Sequence, residues 1–137
     1  MSGYKKPLPQ QIKGAVTKKY WEDLKKEKFM YQKCDDCGTP IFYPRVVCPK
    51  CMSENLSWHQ ASGEGKIYSF TVVYRPVDPR FKPDVPYVVG LIDMAEGFRV
   101  MGNIIGWDDP ESLQIDQPVK IEFIEVTDEF TFPVFRV

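Results

Sequence analysis

The sequence predicts a mainly β protein: an N-terminal helix, a small metal-stapled ribbon, then a five-stranded closed barrel. Three observations carry this expectation. All four cysteines fall between Cys34 and Cys51 as two CxxC pairs, five runs rich in Val, Ile, Phe and Tyr fill the chain from residue 66 onward, and one stretch free of Gly and Pro precedes both. The expected organisation is a flexible segment over 1–16, an amphipathic helix over 17–28, a ribbon over 29–57 and a barrel over 63–137.

Each element has its own signal. Residues 1–16 contain Pro7 and Pro9 between polar neighbours and should be extended, either mobile or laid across a partner. "TKKYWEDLKKEK" (17–28) consists of good helix formers, with Tyr20, Trp21 and Leu24 on one face. "FMYQKCDDCG" enters a tight turn as a strand, "TPIFYPRVV" returns, and "CPKCM" turns again. "SENLSWHQASGEG" has the composition of a connection. The barrel strands are expected at 66–75, 87–94, 98–107, 118–126 and 130–137, with "AEG" (95–97) as a hairpin turn. Gly90, Gly102 and Gly106 lie inside these runs and predict bulges or bends, which a small barrel needs at its corners. Five short strands with a bent first hairpin suit the OB-fold, with an SH3-like barrel or small sandwich as the alternative.

Cys34-x2-Cys37-x10-Cys48-x2-Cys51 sets two CxxC turns at two loop tips. Four thiolates at about 2.3 Å make a closed tetrahedral site for zinc with no open position for substrate. Gly38 suits a turn of positive φ and Pro49 pre-sets its own φ; Met52 stands where such a turn often has glycine, which predicts a slightly opened second knuckle. Disulfides, a redox-active CxxC and an iron centre are the rivals, since four thiolates bind iron as well as zinc. Metal binding would contribute ~10 kcal/mol or more to folding so small a unit.

Length and charge bound the function. The 137 residues allow one medium domain or two small units, and two small units are expected. The sequence shows neither an apolar run of spanning length nor an apolar leader, so a cytoplasmic, membrane-free protein is expected; in a reducing compartment, paired cysteines point to metal. Net charge is −1, yet residues 1–50 hold eleven Lys or Arg against five acids, and 51–137 hold seven against fourteen. The barrel half is thus acidic, which argues against nucleic acid there. The single histidine, His59, reads as a linker residue, and no serine, threonine or lysine stands beside an evident base. "GEGK" lacks the spacing of a phosphate-binding loop and reads as a turn, and Asp108/Asp109 before Pro110 read as a turn or helix start. No catalysis is expected from this chain alone.

From about residue 18 to 137, "YWEDL", "CDDCG", "YPRVVCPKC", "GEGKIYSFTVV", "PYVVGLIDMAEGFRVMGNIIG" and "PVKIEF…FPVFRV" stand in an order that resembles one family. These are the OB-fold proteins with an N-terminal helix and a rubredoxin-like zinc ribbon, known as a domain of unknown function. Met52 departs from the glycine common in that family. The resemblance implies partnership with thiolase-superfamily proteins acting on acyl-coenzyme A, including thiolase-like aldolases and thiolases of aromatic degradation such as benzoylsuccinyl-CoA thiolase. It implies a companion subunit that stabilises the catalytic chain and shapes its acyl-CoA channel.

Two segments suit such a role. The tail "FTFPVFRV" and the loop "RPVDPRFKPDVP" (75–86) carry Phe81, Phe132 and Phe135, residues of the kind that anchor interfaces. Arg75, Arg80 and Lys82 are clustered cations beside Phe81, and these four residues are the candidates for meeting coenzyme A phosphates. The metal ligands expected are Cys34, Cys37, Cys48 and Cys51. The rival functions are a freestanding acyl-CoA or nucleic-acid binding module and an independent esterase-like enzyme.

Overall fold

The computed structural model describes residues 5–9 and 14–137. Of the segment expected to be flexible, residues 1–4 and 10–13 lie outside the described residues. Helix α1 spans Ala15–Lys25 and stops three residues short of the expected end. The cause is a left-handed Glu27 (φ 57°), around which Lys28 N–H donates to the Asp23 carbonyl (2.9 Å) and Glu27 N–H to that of Leu24 (3.0 Å). This Schellman closure overrides the helix propensity of "KKEK" and turns the chain so that Phe29 is buried. The apolar face of α1 belongs to the core: Leu24 is inaccessible, and the Trp21 ring packs edge-on against Phe130 with centroids 5.1 Å apart.

The ribbon is a three-stranded sheet of β1 (Met30–Cys34), β2 (Pro40–Ile41) and β3 (Leu56–Gln60), in the order β2-β1-β3. β3 corrects the expectation of a plain connection over 53–65. "LSWHQ" is a poor strand signal by itself, but all five residues pair antiparallel with β1, so the partner strand decides.

The barrel contains β4 (Glu64–Val73), β5 (Tyr87–Met94), β6 (Arg99–Ile105), β7 (Pro118–Glu125) and β8 (Thr131–Arg136). It closes in the order β4-β5-β6-β8-β7, with β7 returning to β4 and β6 running parallel to β8. This is the OB-fold. β5 alternates strictly between buried and half-buried positions, as expected for one face in the core. The 95–97 turn forms as expected, with Gly97 at φ 95° and its N–H donating to the Met94 carbonyl.

The strand glycines have a different role from the one expected. The register irregularity falls in β4 between Ile67 and Ser69, whereas Gly90 and Gly102 pair opposite each other in regular register. They make room: a Cβ on Gly90 would lie 2.4 Å from Ile104 Cδ1, and one on Gly102 would lie 2.8 Å from Phe135 Cε2. Only Gly106, at φ 87°, acts as a bend.

Helix, ribbon and barrel bury a common core that includes Leu24, Phe29, Ile67, Ile92, Phe98 and Phe135. The ribbon reaches it through aromatics. Phe42 and Tyr31 each stack on Phe98, with centroids 5.2 and 4.8 Å apart. Cys34, Ile41 and Cys48 form a separate small cluster at the far end of the ribbon.

Candidate metal centre

Each knuckle closes with one backbone bond. Gly38 N–H donates to the Cys34 carbonyl at 2.9 Å and Met52 N–H to the Cys48 carbonyl at 3.0 Å, with φ of 75° and 66° at the two closing residues. The second knuckle is therefore as tight as the first, and Met52 is held in a left-handed conformation instead of opening the turn. Met52 is 74% exposed, so glycine there would relieve backbone strain and lose little packing. Met52→Gly should stabilise the protein by up to about 1 kcal/mol, read as a raised denaturation midpoint; a lowered midpoint would show that the methionine side chain contributes more than the strain costs.

The four sulfur atoms all lie within 4.8 Å of one another. Cys34 and Cys51 approach to 3.5 Å, and Cys37 and Cys48 to 3.7 Å. A tetrahedron with bonds of about 2.3 Å needs edges of roughly 3.8 Å, so the donor set fits a tetrathiolate ion. Backbone N–H groups face the sulfurs, Cys37 N to Cys34 Sγ at 3.5 Å and Lys50 N to Cys48 Sγ at 3.4 Å. The Thr39 hydroxyl and N–H lower the Cys37 thiol to about 6. At Cys51 the Ser53 N–H is the strongest single influence and pulls the thiol down, but the Cys34, Cys37 and Cys48 sulfurs together with desolvation outweigh it and the thiol is pushed up to about 12. Sulfurs this close share their protons, and a central cation is what lets all four ionise.

The two knuckles are braced to each other. Asp36 accepts from the Ser53 hydroxyl and from Asn55 Nδ2 (3.1 Å), contacts that hold its carboxyl below the usual range. Asp35 N–H donates to the Asn55 carbonyl at 2.8 Å. Gln32, 3% exposed, donates to the Arg45 carbonyl (2.8 Å) and accepts from the Arg45 N–H (2.7 Å), tying β1 to the segment entering the second knuckle. Sequence reading missed this brace, for which a glutamine on the same strand face as Met30 and Cys34 is the only local sign.

His59 lies on β3, not in a linker, with its Nε2 3.0 Å from the Ser57 hydroxyl. That hydroxyl donates to Asp35 Oδ1 at 2.7 Å, so its proton points to the carboxylate and the imidazole acts as donor, the reverse of a nucleophile and its base. Asp109 accepts from Glu111 N–H (3.0 Å) and caps a short 3-10 turn over Pro110–Ser112, as expected.

The four residues proposed for coenzyme A sit on or beside a 3-10 turn spanning Pro79–Asp84. Arg80 is gripped by Asp78, Nη2 to Oδ2 at 2.6 Å and Nε to both oxygens at 3.0 and 3.1 Å. The guanidinium in turn holds the Asp78 carboxyl down at about 2. Arg75 and Lys82 are exposed, and Phe81 turns inward to within 6.0 Å of the Tyr87 ring. In the tail, Phe135 is wholly buried while Phe132 is half-buried near Trp21. No helix among the described residues is long and apolar enough to cross a membrane.

A closed OB barrel joined through one core to a four-cysteine ribbon defines a zinc-ribbon OB-fold protein. The model of the ChsH2 rubredoxin-like zinc ribbon domain matches residues 21–57, and that of the ChsH2 C-terminal OB-fold domain matches 58–123. The chain belongs to the DUF35 family: it is 38% identical over 98 residues to a DUF35 domain-containing scaffold protein of Methanothermobacter thermautotrophicus, covering 71% of this chain and 72% of that one. It is 35% identical over 117 residues to a probable enoyl-CoA hydratase alpha subunit of Thermomonospora curvata, covering 85% of this chain but only 36% of that relative's length. It is 29% identical to the benzoylsuccinyl-CoA thiolase subunit BbsA of Thauera aromatica, over 70% of this chain and 63% of that one. Among solved structures, a chain of the Ltp2-ChsH2(DUF35) aldolase superposes with TM-score 0.81 at 32% identity, covering 93% of this chain and 98% of the other.

Proposed function

We propose that this chain is a non-catalytic, zinc-bearing accessory subunit of a thiolase-like enzyme, which it stabilises and whose acyl-CoA site it helps to shape. The observation that carries this is the fate of the sulfur: every cysteine of the chain sits in the closed cluster. Thiol-based acyl transfer therefore has to draw its nucleophile from a partner. Similarity to chains described as subunits of a thiolase, a hydratase and an aldolase supports the same division of labour. In this reading Arg75 and Lys82 meet coenzyme A phosphates directly, and Arg80 joins them by exchanging Asp78.

The test is a pull-down of the tagged chain from extract of its own organism, followed by co-expression with any thiolase-like protein it retains. The expected result is a stable complex with acyl-CoA turnover that neither chain has alone. A well-behaved lone chain that binds acyl-CoA or nucleic acid at physiological salt, and retains no partner, would overturn the proposal in favour of a freestanding module; turnover by the lone chain would favour an enzyme. Within the complex, Arg75→Ala with Lys82→Ala should raise KM for acyl-CoA several-fold and leave the melting temperature unchanged, since both side chains are exposed. An unchanged KM would remove the loop from the coenzyme A site.

A further inference from the structure

The described part of the N-terminal segment lies on the barrel. Lys6, Pro7, Leu8 and Pro9 form one wall of an apolar groove of which about 910 Å³ stays open. The remaining walls include Phe81, Tyr87, Met101, Trp107, Ile124 and Phe132. Lys6 holds the segment in place: its Nζ is 2.8 Å from Asp84 Oδ2 and 5.9 Å from the centre of the Phe81 ring. Met101 and Ile124 remain 59% and 41% exposed, so the segment covers the groove only in part.

The chemistry of the strap explains the fit. In Lys6-Pro7-Leu8-Pro9 each proline fixes its own φ, and each residue before a proline is driven into extended backbone. The result is a polyproline-type rod with little entropy to lose on docking, the kind of ligand that aromatic-lined grooves capture. An acidic residue at one end of the groove gives the rod its direction, and here that residue is Asp84.

We propose that this groove is a docking site for a proline-bounded apolar peptide led by a cation, and that residues 6–9 are its resting occupant in cis. A segment of the same chemistry on another polypeptide competes with the strap for the aromatic wall and for Asp84.

The experiment uses the full chain carrying Lys6→Ala and Leu8→Asp, which removes the strap's ion pair and its apolar contact. A labelled synthetic peptide, KKPLPQQ, is titrated by fluorescence anisotropy into this chain and into the unaltered one. The expected result is binding at least tenfold tighter to the opened chain than to the unaltered chain. Adding Asp84→Lys to the opened chain should abolish binding, and the peptide KEPLPQQ should restore it. Equal binding to the opened and unaltered chains, no binding to either, or no effect of the Asp84 reversal would each overturn the proposal. Metal content of one ion per chain verifies that each variant is folded.

Discussion

Cys48→Ser should empty the metal site and unmake the ribbon around it. Cys48 is wholly buried, and with Cys34 and Ile41 it is nearly the whole apolar interior of that end of the molecule. Three cysteines among short turns cannot replace an ion whose binding contributes ~10 kcal/mol or more, a figure comparable with the whole stability of a domain. Elemental analysis should therefore fall from one metal ion per chain to none. Amide exchange should become fast across residues 34–55 and stay slower in β5 and β6, whose pairing does not depend on the knuckles. The barrel would still suffer, because Phe98 would lose Phe42 and Tyr31 as stacking partners. A strong zinc chelator should reproduce the pattern, as should acid: protons compete for thiolates, so the metal-loaded fraction falls as pH falls. Retained metal, or knuckle amides that stay protected in the variant, would refute the view of the ion as a fold device.

The second large effect lies in the barrel, at Phe135. This ring is wholly buried, packs against Phe29 with centroids 6.4 Å apart, and sits beneath Gly102. Its residue also pairs with Ile104 on β6 and Ile121 on β7, at the seam where parallel and antiparallel pairing meet. Phe135→Ala should destabilise by about 3–5 kcal/mol, a lost transfer term plus a cavity that a closed barrel cannot collapse. Gly102→Ala should cost about 1–3 kcal/mol by overpacking the same ring. The two are coupled: in a Phe135→Leu background the Gly102→Ala penalty should shrink by about 1 kcal/mol or more, measured by a denaturation cycle. Strict additivity would mean that Gly102 is needed for backbone freedom instead of space.

Much of the fold was legible because its signals are local. Two CxxC pairs with Gly38 behind the first name a metal knuckle whatever surrounds them, and the runs that became β5 and β7 alternate or saturate with apolar residues as strands must. What the local reading got wrong depended on a distant partner. Gly90 and Gly102 resembled bulge sites because a missing side chain looks the same whether the backbone bends or a neighbour needs the space. "LSWHQ" read as a connection because its polar residues face outward on β3, and only the pairing with β1 makes it a strand.

By itself the sequence determined the four-sulfur site, the single amphipathic helix and the all-β character of the remainder, since each follows from residue type and spacing along the chain. The tertiary structure alone decided that ribbon and barrel share one aromatic core, that the barrel glycines make room for Ile104 and Phe135, and that Lys6–Pro9 lies against an apolar groove beside Asp84. Those features arise between side chains far apart in the chain, where packing and charge depend on distances through space that no local pattern encodes.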